Sequence, residues 1–453
     1  MPSERIADDC SIESLLAVFR KRSGCVFLDS GSHEYGLGRY SILASDPFKE
    51  FVAWGRRIEI REGDECRSEI GNPLEVLRNE IAKEPVFDQA DFPFSGGAIG
   101  YVAYEALRAD EAVPLEAGSP DARFGFYDGA LVWDHESNSL HLVAYPGSTD
   151  VDATLRRLKA MVSEAKEVEF SASFRVGEIS SNFDRDGYLD RVRKTRELIR
   201  SGDIYQANLS QRFQADFEGD GLALYSRLRQ ANPAPYAAYL DFGDEEILSS
   251  SPERFFLLNE GRVDTRPIKG TRPRGSNEAE EAAFRKDLAR SEKDRAELLM
   301  IVDLERNDLG RICQPGSIAV EALFALETYA SVIHQTATVV GQLEAGKDVA
   351  DCFGAMFPGG SITGAPKIRA MEVIEELETG RRGVYTGSIG YIGFDGRADF
   401  NIAIRTMRIA DGELSFNVGG GIVWDSDPQS EYEETLHKAK ALFDALGVSR
   451  NAD

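Results

Sequence analysis

Through its first 175 residues the chain keeps returning to short β-type runs closed by turn signals: GCVFLDSG, FKEFVAWG, RRIEIREGD, GGAIGYVAYEAL and GALVWDHESNSLHLVAYPG. Such runs suit antiparallel strands. Helices are expected over residues 152–166, with Leu155, Leu158 and Met161 on one side, and over residues 188–200, stopped by Ser201 and Gly202. A boundary between segments is expected near residues 170–185, dividing the chain into an amino-terminal segment, 1–175, and a second segment, 185–447. In the second segment IYQANLSQRF alternates like a strand, EEILSSSPERFFLL and RVDTRPIKGT read as adjacent strands, and residues 277–310 read as one long charged helical region. The fold class is therefore α+β. No GxGxxG follows a strand, and GxxxxGK[ST], HExxH and GxSxG are all missing, which removes the commonest dinucleotide, phosphate, zinc-peptidase and serine-hydrolase readings.

Composition narrows the partners. With 42% hydrophobic and 28% charged residues the 453-residue chain reads as globular, long enough for two or three domains. Its 52 Lys and Arg against 77 Asp and Glu give a formal charge of −25, a field that repels phosphate backbones and anionic lipid, so neither nucleic acid nor a membrane is an expected partner. A small anionic substrate must then be met by local positive groups. There is no apolar run of about 18 residues, and no basic region followed by an apolar stretch at the amino terminus; the expected location is the cytoplasm. The five cysteines, Cys10, Cys25, Cys66, Cys313 and Cys352, are widely spaced and read as reduced packing or surface residues.

Two acidic pairs stand at helical spacing, Asp294 with Glu297 and Glu431 with Glu434. Residues three apart share a helix face, and two such faces brought together would suit Mg²⁺; taken singly, each pair is equally a solvated acidic face. Three glycine-rich stretches, FPGGSITGAPK with Thr363 and Gly364, YTGSIGYIG, and NVGGGIVW with Gly419, Gly420 and Gly421, read as turns that either close hairpins or offer backbone N–H groups to an anion. Lys367, Arg405 and Lys438 lie near them and favour a small dicarboxylate. Lys269, in RPIKGTRPRG, sits in an apolar-to-turn context; a buried lysine loses its proton more readily, and a neutral amine is a nucleophile. Sixteen residues earlier, Glu253 is a candidate general acid or base.

Taken in order, YQANLSQRF, SSSPERF, PIKGT, MIVDLERNDLGR, HQTATVVG, FPGGSITGAPK, YTGSIGYI, NIAIRT, VGGGIVWDSDP and EYEETLHKAKAL resemble the signature blocks of the chorismate-utilising enzymes. FLDSG and GRYSILASDP resemble the additional amino-terminal segment of the ammonia-using members. The resemblance implies large antiparallel sheets packed face to face with helices outside, and a cleft in the carboxy-terminal segment. It implies Mg²⁺ bound directly by Glu297 and Glu434, with Asp294 and Glu431 behind them. One carboxylate of chorismate would meet the metal, the Gly419, Gly420 and Gly421 backbone and Lys438; the other would meet Tyr385 and Arg405. Thr363 and Gly364 join the substrate contacts by the same likeness, and His334 would lie beside the reacting ring.

Water-adding members of the family carry a lysine base where this chain has Gln206, which cannot act as a base at neutral pH. Anthranilate-forming members read PIAGT, and the lysine of PIKGT marks the aminodeoxychorismate-forming branch. The resemblance thus implies that Lys269 adds at C2 and expels the C4 hydroxyl, protonated by Glu253, before ammonia takes C4. The product would be 4-amino-4-deoxychorismate, on the route to 4-aminobenzoate and folate. No cysteine stands in a GxCxG-type setting, so ammonia is expected from a separate glutamine amidotransferase subunit, and no fused lyase is expected after residue 445. Tryptophan is a candidate ligand of the amino-terminal segment, as regulator or as structural ligand. Anthranilate synthesis is the near alternative; a non-catalytic regulatory subunit of the same fold is the remote one.

Overall fold

Strand Lys49–Trp54 buries every second residue, as a strand with one face on a core must, and Gly97–Val102 and Gly129–Asp134 are buried throughout because both their faces are covered. A computed structural model describes residues 2–7, 10–32, 35–87, 91–107, 119–329 and 332–448. Among them two large sheets form, and every strand pairing within them is antiparallel. The first, of 13 strands, runs through Ser139–Ala144, Gly129–Asp134, Tyr40–Ala44, Cys25–Asp29, Tyr236–Asp241, Glu245–Ser251, Thr406–Ala410, Glu413–Ile422 and Gln206–Gly219. The second, of 12 strands, runs from Ile268–Pro273 through Val332–Gln342, Arg262–Arg266, Arg254–Asn259, Ala398–Asn401, Ser388–Gly393, Gly97–Val102 and Ala122–Tyr127 to Lys49–Trp54 and its hairpin partners.

The expected α+β class with paired antiparallel sheets is what the chain forms. Val26, Ile42, Val132 and Leu240 of the first sheet pack on Ile99, Tyr101, Ile389 and Tyr391 of the second, making the inter-sheet core. The outer face of the first sheet is covered by helices Ile12–Phe19, Val151–Ala165, Gly221–Ala231 and Pro428–Leu446, and that of the second by Pro73–Ile81, Glu292–Leu309 and Val349–Met356. Residues before 175 and after 185 supply strands to both sheets. No described helix is long and apolar enough to cross a membrane.

Three local expectations change. Residues 277–310 form two helices, Glu278–Arg290 and Glu292–Leu309, because Ser291 takes an extended conformation and its side chain caps the second helix by accepting from the Asp294 N–H. EEILSSSPERFFLL is two strands in different sheets, Glu245–Ser251 in the first and Arg254–Asn259 in the second, so the chain crosses between the sheets at Pro252 and Glu253. NVGGGIVW is no turn: Gly419, Gly420 and Gly421 lie inside strand Glu413–Ile422, opposite Ser210, Leu209 and Asn208. Most of YTGSIGYIG is likewise the strand Ser388–Gly393.

Candidate active site

The glycine run owes its use to where its neighbour stops. Strand Thr406–Ala410 pairs with Glu413–Ile422 only as far as Phe416, so from Asn417 onward the glycines are paired on one side alone. Helix Pro428–Leu446 comes close there. A Cβ on Gly420 would stand 3.3 Å from Glu431 Oε2, 3.6 Å from Glu434 Oε1 and 3.8 Å from Lys438 Nζ, and Lys438 donates to Gly419 O at 3.0 Å. On the opposite face a Cβ on Gly421 would lie 2.5 Å from Gln206 Nε2 and 3.5 Å from Lys269 Nζ. Larger residues here would fill the cleft between the two acidic helices and Lys269.

Lys269 reaches this point because strand Ile268–Pro273 is bulged between Lys269 and Thr271 in its pairing with Val332–Gln342. Gly270 at the bulge has φ 75°, and a Cβ there would stand 3.0 Å from Asp294 Cβ, which brings helix Glu292–Leu309 against the lysine. Lys269 is half-buried, not buried as its apolar context suggests, and its ammonium donates to Ser361 O at 3.1 Å.

Asp294 accepts from Arg272 Nη2 at 3.1 Å, and Glu297 and Glu431 each lie 3.9 Å from Lys293 Nζ, so one ammonium stands between carboxylates of the two helices. Glu434 pairs with Lys438 at 2.8 Å, and that charge holds its carboxyl below the usual range. Burial raises the Glu431 carboxyl, which accepts from Ser426 Oγ at 2.6 Å. Among the described residues no three His, Cys, Asp or Glu side chains are drawn together closely enough to hold a metal by themselves. The donor set nevertheless fits Mg²⁺, which takes one or two carboxylates and completes its shell with water and substrate oxygens, and Lys293 marks the gap as a place that attracts a cation.

Glu253 is buried at the sheet crossover, and burial raises the pKa of its carboxyl against the opposing pull of the Ile268 N–H, which donates at 3.3 Å, and of the Lys269 and Arg405 charges. Its folded pKa lies above the unfolded one, so it stabilises the fold relative to a permanently charged group at low pH and loses that contribution as pH rises from about 4.3 through the raised value. Glu253→Gln is therefore expected to raise the melting temperature relative to wild type more at pH 8 than at pH 4. Scanning calorimetry at both pH values checks this, and equal shifts would contradict it.

His334 is buried, shares a hydrogen bond with Thr271 Oγ1 at 2.9 Å through Nδ1, and leaves Nε2 without a protein partner. Burial, helped by the Arg405 charge, lowers its pKa to about 3, so the ring is neutral. Arg405 donates to Asn232 Oδ1 at 3.3 Å and has φ 52°; Thr386, next to Tyr385, has φ 59°. Left-handed backbone at a bulky or β-branched residue is uncommon and costs about 1–3 kcal/mol, so these two arms are held in place by their surroundings. Tyr385 is buried, which pushes its hydroxyl pKa up.

The structure thus gathers Lys269, Glu253, Glu297, Asp294, Glu431, Glu434, Lys438 and the glycine run around one cleft, with Arg405 acting electrostatically on both Glu253 and His334. Thr363 and Gly364 have folding reasons of their own: Thr363 Oγ1 donates to Gly359 O at 2.9 Å, and a Cβ on Gly364 would be 2.1 Å from Gln206 O. Lys367 is a correction. It donates to Asp308 at 2.6 Å and Met356 O at 2.7 Å, anchoring helix Lys367–Leu377 instead of lining an anion pocket. Two glutamines add to the site's polarity: Gln206 and Gln335 are wholly buried with both amide atoms unpartnered, and Gln335 pairs directly with Lys269 across the strands. Gln335 carried no clear signal, since its strand also holds His334, Thr336, Thr338 and Gln342.

A separate cavity of about 360 Å³ lies away from this cleft. Asp29 and Ser30 of FLDSG and Arg39 and Tyr40 of GRYSILASDP line it together with Tyr236 and Arg254.

Two face-to-face antiparallel sheets with a polar, cation-attracting cleft at the end of one strand pair define an α+β protein with an enzyme-like site. The chain belongs to the chorismate binding enzyme family, whose profile matches residues 25–444. It is 40% identical over 428 residues to aminodeoxychorismate synthase component 1 of Klebsiella aerogenes, covering 93% of each chain. It is also 37% identical to anthranilate synthase component 1 of Acetivibrio thermocellus, over 96% of this chain and 92% of that one. Among solved structures, anthranilate synthase component I from Streptococcus pneumoniae TIGR4 superposes with a TM-score of 0.80 at 35% identity, covering 89% of this chain and 91% of the other. The protein is a chorismate-utilising enzyme.

Proposed function

We propose that the chain converts chorismate and ammonia to 4-amino-4-deoxychorismate, a step toward 4-aminobenzoate and folate. The observation that carries the reading is Lys269 itself, its amine in the cleft between Ser361 and Gly421 and flanked by buried Glu253. The Lys269 amine, once neutral, adds to C2 of the ring; the C1=C2 and C5=C6 double bonds shift to C1=C6 and C4=C5, and the C4 oxygen leaves as water, taking the Glu253 proton. The proton lost by the new lysine nitrogen returns to the Glu253 carboxylate. Ammonia then adds at C4, the two double bonds shift back, and the Lys269 amine leaves with the Glu253 proton, which the new C4 ammonium returns to the Glu253 carboxylate. Arg405 and Tyr385 orient one substrate carboxylate, while Lys438 and the one-sided glycine strand receive the other. Neutral His334 turns Nε2 to the departing group. Glu297 and Glu434 would hold Mg²⁺, backed by Asp294 and Glu431, and bound Mg²⁺ would neutralise and polarise a substrate carboxylate. Gln206 in place of a base disfavours water addition.

The test is product identification by chromatography and mass spectrometry after incubation with chorismate, Mg²⁺ and ammonium salt. Anthranilate in place of 4-amino-4-deoxychorismate would instead support the second reading, which the 37%-identical anthranilate synthase relative keeps in view.

Ammonia is scarce at neutral pH, and the relatives bear the name component 1, so a glutamine amidotransferase partner is part of the proposal. Ammonium salt at high pH is expected to support turnover by this chain alone, and glutamine only with the second protein. Glutamine consumption by the purified chain would contradict the two-protein arrangement. The separate cavity is proposed for tryptophan, with Tyr40 and Tyr236 for the indole, Asp29 for the ammonium and Arg39 or Arg254 for the carboxylate; titration calorimetry with tryptophan tests it.

A further inference from the structure

Arg382 takes no part in the reaction outlined above, yet several walls of the cleft meet at its guanidinium. Its side chain is 2% exposed. Nε and Nη2 donate to the two oxygens of Glu378 at 2.9 and 2.7 Å, Nη2 also donates to Asn208 O at 2.6 Å, and Nη1 donates to Ile362 O at 3.1 Å and Thr386 Oγ1 at 3.3 Å. Glu378 accepts in turn from the Ser210 N–H at 2.7 Å. The guanidinium carbon lies 4.7 Å from the Tyr104 ring centre and 5.8 Å from that of Tyr385. Its backbone is fixed from the amino-terminal segment, where Glu105 accepts from the N–H groups of Arg382 and Gly383 at 2.7 and 3.1 Å.

Apart from Glu378, each acceptor belongs to a different cleft segment. Ile362 follows Ser361, the partner of Lys269; Asn208 lies two residues from Gln206; and Thr386 adjoins Tyr385 in left-handed backbone. A planar fork of five donors can satisfy these directions at once, which a point-charge ammonium cannot. We propose that Arg382 is a positioning residue that sets the spacing of the Ser361 turn, the Gln206 strand end and the Tyr385 arm, and so aligns Lys269 with bound chorismate. The inference rests on the proposed roles of Lys269 and Tyr385, but not on which aminated product forms.

The experiment follows chorismate consumption with Mg²⁺ and ammonium in wild type, Arg382→Lys and Arg382→Ala, alongside melting curves and chorismate titration calorimetry. Both variants are expected to lose about 100-fold in kcat, as misplacement of reacting groups by about 1 Å would produce, with KM and chorismate affinity within about threefold of wild type. Millimolar guanidinium chloride, and not sodium chloride, should restore at least about tenfold of the Arg382→Ala loss. Should the alanine variant fail to fold, Arg382→Lys carries the test. A lysine variant with kcat within about threefold of wild type would overturn the proposal. So would a kcat loss matched by loss of folded protein or of chorismate affinity. Anthranilate as the wild-type product would sink the proposed regiochemistry and leave this inference standing.

Discussion

Lys269→Ala is expected to bind chorismate nearly as wild type does and to form 4-amino-4-deoxychorismate at least about 10³-fold more slowly, because a covalent route loses its nucleophile while the binding groups stay. The structure supports the separation. Lys269 is half-buried at a bulge and its ammonium donates to Ser361 O, so shortening it removes no buried ion pair among the described residues and opens only a cleft already lined by Gln206 and Gly421. Equilibrium binding and single-turnover kinetics on the same preparation read the two effects independently. Wild-type turnover in the variant would reduce Lys269 to a packing residue and reopen the choice between amination at C4 and at C2.

The second large effect concerns the acidic helices. Glu297→Ala and Glu434→Ala should each lower turnover by at least about 10²-fold, with melting temperatures close to wild type, since Glu434 is exposed and Glu297 only part-buried and neither leaves a core cavity. Calorimetric Mg²⁺ titration in the presence of chorismate should show weakened metal binding in both. Undiminished Mg²⁺-dependent activity in both variants would refute the assignment.

Much of this is legible in the sequence. Period-two runs closed by turns yield antiparallel strands, and Asp294 with Glu297 and Glu431 with Glu434 each share a helix face as their spacing requires, although the spacing does not say that the two faces meet near Lys293. What could not be read was long-range pairing. Only the pairing of Gln206–Gly219 with Glu413–Ile422, and the early end of Thr406–Ala410, turn a glycine run that looks like a hairpin into a half-paired strand beside the acidic helix. The sheet crossover that buries Glu253 depends on which sheet each neighbouring strand joins, which its own sequence does not state. Lys367 misled, and Arg382 gave no signal, for one reason. A cation's role follows from its partners, and Asp308 for the one, Glu378 with three cleft segments for the other, are distant or unmarked in the chain.

The most direct measurement is intact-protein mass spectrometry of the wild-type chain held with chorismate and Mg²⁺ in the absence of ammonia, followed by digestion to map any adduct. A covalent ring adduct on Lys269 that vanishes in Lys269→Ala and discharges as 4-amino-4-deoxychorismate when ammonium is added is the expected result; an unmodified Lys269 in enzyme that turns over normally once ammonium is supplied would contradict it.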